Sequence, residues 1–373
     1  MTSTPITSAE LSAIATPALV VDKAAMERNI ASMAALARQG GVALRPHAKT
    51  HKCIGVARAQ MRAGAVGIGC ATLGEAEALS AGGIPNLLLT APQAAPGAAA
   101  RIWALHRARP LTVVCDHPWQ VERLIEAAAG EGPPLAVLVD MDIGQRRTGV
   151  TTVAEGLELS RAIARQSRLE LAGVQGFAGQ VQHVVDAAER RESARAAGQL
   201  LGELATALRT AGLPCPLVSG SGTGAFAFDM AGPYTELQVG SYVFMDADYA
   251  RLRQDAAHPF EVSLYVLATV VSVNRPGQVT IDAGTKAFAV NGPPPHRILG
   301  APEGTRFSFA GDEHGVLSLP PGAPAPPLGA RMLLSATHVD PTVNLYDAYH
   351  VWDEGRPLDI WPIVGRYSAH NAG

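Results

Sequence analysis

The hydrophobic positions fall into short, unbroken runs separated by stretches of helical spacing. The runs are VALRPH (42–47), VGIGCA (66–71), NLLLTA (86–91), LTVVCD (111–116), LAVLVDMD (135–142), LAGVQGF (171–177), PLVSG (216–220) and LQVGSYVF (237–244). They do not alternate, which is the pattern of strands buried on both faces of a parallel sheet. Between them, 52–63, 73–81, 95–108, 118–130, 153–166 and 186–211 carry helical periodicity. Ahead of the series, PALVVD (17–22) predicts a strand and Asp22 a cap for the helix that follows. In that helix Met26, Ile30, Met33 and Leu36 share a face until Gly40-Gly41. About eight strand–helix repeats over roughly 220 residues predict a (β/α)8 TIM-type barrel at 23–250 in an α/β chain.

The texture changes after residue 250. The stretch 261–284 is rich in β-branched residues with a turn at Pro276-Gly277, and 292–328 is rich in Pro and Gly. A hairpin turn is predicted at Glu354-Gly355. Residues 251–373 therefore read as a mainly β domain. Residues 1–14 read as a frayed start, and PPGAPAPP (320–327) as a surface loop.

Composition narrows the function. With 373 residues, 47% hydrophobic and 17% charged, the chain is no disordered protein. Its 30 Lys plus Arg against 33 Asp plus Glu, a net of -3, argue against a nucleic-acid partner, which would call for concentrated positive charge. No segment has the run of about 18 apolar residues that a membrane span needs, and the start lacks a signal-peptide pattern. Four cysteines without a CxxC pair fit a soluble protein of the reducing cytoplasm.

In a parallel barrel, reactive groups gather at the C-terminal ends of the strands. Lys49, in RPHAKTHK (45–52), follows such an end, and cationic Arg45 and Lys52 nearby would lower its pKa toward the uncharged amine that imine formation needs. DMDIGQRRTGV (140–150) carries Asp142, Arg146 and Arg147, and an arginine there could bond a cofactor's phenolic oxygen. SGSGTG (219–224) could cradle a phosphate on its N–H groups. In GFAGQVQH (176–183), Phe177 could pack on a planar ligand and His183 act as a base. In THVDPTVNLYD (337–347), His338 and Asp340 stand two apart, which on a strand puts both on one face as a nitrogen–oxygen pair for a divalent ion. DEHG (312–315) adds Glu313 and His314 as outer groups or as a turn. Each motif alone also has a plainer reading: a solvated lysine, a charged turn, a glycine turn, polar residues on a strand.

In combination and in this order, RPHAKTHK, Asp142 to Val150, SGSGTG, ELQVGSYVFMDADY (236–249), IDAG, DEHG and HVDPTVNLYD resemble the D-threonine aldolase and D-serine dehydratase group of fold-type III pyridoxal phosphate (PLP) enzymes. The resemblance spans roughly residues 15 to 367. It implies an alanine-racemase-like barrel and a β domain to which residues 1–22 contribute. It further implies PLP held covalently by Lys49, with Arg147 near the ring oxygen and Phe177 stacked on the ring. Ser221, Gly222, Thr223 and Gly224, with Ser241 and Tyr242, would take its phosphate. His338 and Asp340 would bind a divalent metal, manganese or magnesium with zinc as an alternative, and His183 would be the base. The dehydratases carry Cys where this chain has Asp340, so the match leans to the aldolases. The aldolases usually show Tyr-His where this chain has Phe177-Ala178, and ATLGEAEA (71–78) is closer to the dehydratases. The implied reaction is cleavage of a D-β-hydroxy-α-amino acid to glycine and an aldehyde, with a D-serine or D-3-hydroxyaspartate dehydratase as the alternative. An amino-acid racemase or a non-catalytic PLP-binding protein is a weaker reading. A homodimer is the expected assembly.

Overall fold

The computed structural model describes residues 11–252, 259–353 and 356–367. Most of the frayed start and the Glu354-Gly355 turn of the sequence reading lie outside the described residues. The described residues form two compact units, 11–32 with 241–363, and 33–240 with 364–367.

Asp22 ends β1 (Ala18–Asp22) and starts α1 (Lys23–Gln39): its Oδ1 accepts the Ala25 N–H at 3.0 Å. Met26, Ile30 and Met33 of α1 are buried. The units divide at 32/33 and 240/241. Asn29 gives a physical reason. From the early turns of α1 its amide donates to Val243 O and Glu261 O and accepts the Glu261 N–H.

The second unit is the barrel. Its strands are β2 (Ala43–Leu44), β3 (Ile68–Cys70), β4 (Leu87–Leu89), β5 (Leu111–Cys115), β6 (Leu135–Asp140), β7 (Leu169–Gly176), β8 (Leu217–Gly220) and β9 (Glu236–Leu237), all parallel and each paired with its successor from β3 to β9. β9 pairs with β2. A bridge between His47 and Gly69, with the Val66 N–H on Leu44 O and the Gly69 N–H on Pro46 O, joins β2 to β3 and closes the ring. Between the strands run α2 (Ile54–Arg62), α3 (Leu73–Ala81), α4 (Ala98–Ala108), α5 (Pro118–Glu126), α6 (Val153–Ala164), α7 (Ala187–Thr210) and the short α8 (Phe226–Asp229). Their starts are set by side-chain caps such as Thr72 on Glu75 N, Thr152 with Glu155, and Asp186 on Glu189 N. Leu88, Val114, Leu138 and Ala172 form one buried apolar cluster, with Ala136 and Leu217 against it.

The last predicted strand is overdrawn. LQVGSYVF contributes only its first residue to β9, and Ser241–Val243 form a 3-10 turn. Gly240 accounts for the break, because a Cβ there would stand 2.6 Å from Thr50 Oγ1, so the backbone passes close to the Thr50 side chain.

The first unit holds the mixed sheet: β10 (Leu264–Ser272), β11 (Gln278–Ile281), β12 (Ile298–Leu299), β13 (Arg306–Phe309), β14 (Gly315–Ser318), β15 (Arg331–Ser335), β16 (Ala348–Asp353) and β17 (Arg356–Pro362), with α9 (Ala247–Ala250) and α10 (Val339–Val343). β1 lies in this sheet, antiparallel to β10 and parallel to β16. A second correction falls here: His338 and Asp340 are not on a strand. His338 precedes α10, and Asp340 is in its first turn. Pro341 explains why, since proline has no N–H for a strand ladder and its fixed φ suits the first turn of a helix.

Candidate active site

A cavity of about 330 Å³ opens among the C-terminal ends of the barrel strands. It is lined by His47 and Lys49 after β2, Thr90 after β4, Asp140 at the end of β6, Gln175 and Phe177 at β7, and Gln238 after β9. Arg147 and Thr148 reach it from the loop that follows β6.

Lys49 is half-buried in a 3-10 turn, Ala48–Thr50. His47 sets that turn. Its Nδ1 accepts the Lys49 N–H at 3.2 Å, and its Nε2 meets Thr90 Oγ1 at 2.9 Å. Thr90 spends its own hydroxyl proton on Cys70 O at 3.0 Å, so His47 carries its proton on Nε2 and donates it. His47 is a cavity residue the sequence reading passed over. Three residues past Lys49, Lys52 stands at φ +45° and forms a buried pair with Glu75 at 2.6 Å, while Glu75 also accepts the Ala71 N–H at 2.7 Å.

The loop 140–150 shows why its glycines and acids are spaced as they are. Asp142 Oδ1 accepts the N–H groups of Gly144 and Arg146, and Asp116 accepts that of Gly149. Gly149 has φ +106°, and a Cβ there would lie 2.3 Å from Asp142 N. Asp142 thus folds the loop, and Arg147 is the side chain the loop delivers. Its guanidinium lies 5.6 Å from the centre of the Phe177 ring, a cation–π contact at the cavity wall.

Under these groups lies a buried polar layer. Asp140 accepts Thr148 Oγ1 at 2.8 Å and Gln175 Nε2 at 2.9 Å. Burial pushes its carboxyl up to about 6, against the pull of those two bonds. Gln175 continues to Gln238, Gln238 to Ser219, Ser219 to Glu236, and Glu236 to Arg45 at 2.9 Å.

The glycine loop after β8 does not line the 330 Å³ cavity. Its glycines answer to Gln182: a Cβ on Gly224 would be 2.0 Å from Gln182 O, one on Gly222 2.5 Å from Gln182 Oε1, and the Gly224 N–H donates to that Oε1 at 2.9 Å. Ser221 and Thr223 are buried, Ser221 at φ +72°. Nearby Asp229 is pushed up to about 7 by burial. His183 follows Gln182 directly and is half-buried, so the loop and the histidine are tied through Gln182. His183 itself is not among the cavity's lining residues.

In the β unit, Ser241 and Tyr242 are buried in the 3-10 turn, with Tyr242 against Phe260. His338 Nε2 lies 3.7 Å from Asp340 Oδ2, and Asn291 meets His338 Nδ1 at 3.0 Å. Two donor atoms each about 2.0–2.2 Å from one ion stand at most about 4.4 Å apart, so this spacing fits a shared cation. Among the described residues no group of three His, Cys, Asp or Glu side chains gathers that could hold a metal. Asp246, absent from the sequence reading, positions the pair: it accepts the Val339 N–H at 2.9 Å and the N–H groups of Asp248 and Tyr249. Burial pushes its carboxyl up to about 7. Glu313 and His314 belong to the β13–β14 turn, with Glu313 paired to exposed Lys286. All four cysteines are buried free thiols, and no helix among the described residues is long and apolar enough to cross a membrane.

Known proteins resemble the chain along most of its length. The alanine racemase N-terminal domain family matches residues 21–248, and the putative serine dehydratase domain matches 263–352. The chain is 41% identical to a D-threonine aldolase of Arthrobacter sp. over 95% of its length and 94% of the relative's. It is 34% identical to a 3-hydroxy-D-aspartate aldolase of Paracoccus denitrificans over 95% and 93%. The crystal structure of D-threonine aldolase from Filomicrobium marinum superposes with a TM-score of 0.89 at 38% identity, covering 95% of this chain and 96% of that one. The chain is a lyase, and it belongs to the D-threonine aldolase and D-serine dehydratase-like family of fold-type III PLP enzymes.

Proposed function

We propose that this protein is a PLP- and divalent-metal-dependent aldolase that cleaves D-β-hydroxy-α-amino acids of the D-threonine type to glycine and an aldehyde. The observation that carries the reading is the cavity in which Lys49, Arg147 and Phe177 meet at the barrel mouth. The whole-length likeness to a D-threonine aldolase supports it. Lys49 is the covalent anchor, its turn fixed by the Nδ1 of His47. Arg147, steadied over Phe177, would serve the ring oxygen, and Phe177 would offer the flat apolar wall. The Ser221–Gly224 loop is assigned to the phosphate. PLP bound there supplies the electron sink for the charge left at Cα when Cα–Cβ breaks. His338 and Asp340 would hold the cation, manganese or magnesium being favoured by the hard carboxylate oxygen, and such an ion acidifies a hydroxyl bound to it. His183, ordered beside Gln182, accepts the proton of the substrate's β-hydroxyl. A homodimer in the cytoplasm is the working assembly and location.

The test is an assay of the PLP-loaded protein on D-threonine and D-phenylserine. Glycine and aldehyde are expected, with borohydride fixing the cofactor to Lys49. Activity should fall at least about tenfold after chelation and return with manganese or magnesium. Keto acid and ammonia instead would make the protein a dehydratase. Glycine formation untouched by metal removal would overturn the role of His338 and Asp340.

A further inference from the structure

The polar layer beneath the cavity fixes the chemistry of one cavity-facing atom that the proposed site does not use. Gln175 Nε2 donates to the Thr90 backbone carbonyl at 2.9 Å as well as to Asp140. A carbonyl only accepts, so Gln175 cannot turn its amide around. Its Oε1 therefore faces Gln238 and takes a hydrogen from Gln238 Nε2 at 3.0 Å. The other end of the layer gives the same answer independently. Ser219 donates its proton to Glu236 Oε1 at 2.6 Å, and Arg45 holds that carboxylate. Ser219 is then left as an acceptor, and Gln238 Nε2 donates to it at 2.8 Å. Both hydrogens of the Gln238 amide are committed. Its Oε1 is the remaining side-chain polar atom of a buried residue that lines the cavity.

We infer that Gln238 Oε1 is an acceptor-only contact for a ligand N–H. Resting on the reading of PLP at Lys49, we further infer that this N–H is the protonated ring nitrogen of the cofactor. Acceptor chemistry at that position favours the pyridinium form, whereas a donor would favour the neutral ring. The pyridinium form draws electrons more strongly and suits a reaction that leaves a full carbanion at Cα. Gln238 is thus a positioning and tuning residue. Asp140, Thr90 and Glu236 act through it by holding its amide the right way round.

The experiment loads the apo-protein with PLP carrying nitrogen-15 in the ring and reads the ring resonance at alkaline pH, where the ring nitrogen of the free cofactor is neutral. A protonated-type resonance is expected in the wild type. In Gln238→Leu the resonance should move to the neutral type, and PLP should bind about tenfold to hundredfold more weakly, the effect of losing one charge-assisted hydrogen bond. A neutral-type resonance in the wild type, with borohydride still fixing the cofactor to Lys49, overturns the inference and leaves the cofactor reading standing. No uptake of PLP and no Lys49 adduct overturns the cofactor reading instead. Should Gln238→Leu fail to fold, the wild-type resonance decides alone.

Discussion

On β4, β6 and β8 the chain passes from Leu88 to Thr90, from Leu138 to Asp140 and from Leu217 to Ser219, each within two residues and so on the same side of the strand. The earlier residue of each pair belongs to the apolar cluster and the later one to the polar layer under the cavity. The two layers obey different rules. The lower one stabilises the fold through volume and burial, and an apolar side chain of similar size serves as well. The upper one is set by the hydrogen-bond partners of its polar atoms, and its central carboxyl is held against its own preference. The difference teaches where the barrel spends stability to hold a site.

The largest expected effect is in the lower layer. Leu138→Ala empties space around a side chain with no exposed surface and should cost about 2–5 kcal/mol in denaturant unfolding. Cofactor affinity per folded molecule should stay near the wild-type value. A large loss of affinity would mean that the layers are not separable.

Asp140→Asn should act in the opposite direction. With its carboxyl raised from 3.8 to about 6, Asp140 binds its proton more tightly in the folded state than in the unfolded chain. Its ionisation therefore removes stability as pH rises through that window, and the deficit persists above it. Asparagine should recover on the order of 3 kcal/mol at neutral pH and almost nothing below about pH 4. Urea titrations at the two pH values check this, and an equal gain at both would show that ionisation is not the cause. Cofactor binding or turnover should suffer as stability improves, the usual balance at functional sites.

Thr148→Val is the mildest test. It removes one of the two bonds to Asp140 for about 1 kcal/mol and pushes the Asp140 carboxyl still higher. The readout is the pH midpoint of the stability change, which should move upward.

Much of this was legible in the chain itself. The barrel announced itself because strands buried on both faces are written as unbroken apolar runs, and Asp22, Thr152 and Asp186 stand where helix starts need them. The errors have local causes. LQVGSYVF looks apolar enough for a long strand, but Gly240 meets Thr50, a residue nearly two hundred positions away that no window of sequence shows. His338 and Asp340 were placed on a strand by their spacing, although the Asp340-Pro341 pair already signalled a helix start. The site was half visible. Lys49, Arg147 and Phe177 could be found because they follow strand ends. Gln175 and Gln238 lie inside runs read for their hydrophobicity, and Asp140 opens a motif read for its later charges. The signal that could have exposed them is that a polar side chain within a buried strand must have a partner somewhere.

The closing seam of the ring has a consequence for how the protein is made. Ala43 and Leu44 pair with Glu236 and Leu237, and His47 donates its N–H to Val239 O, so the turn bearing Lys49 hangs from contacts that arrive late in synthesis. A nascent chain, or a fragment ending before residue 236, lacks the partner strand that seats this turn. The amine is armed only once the last stave is in place.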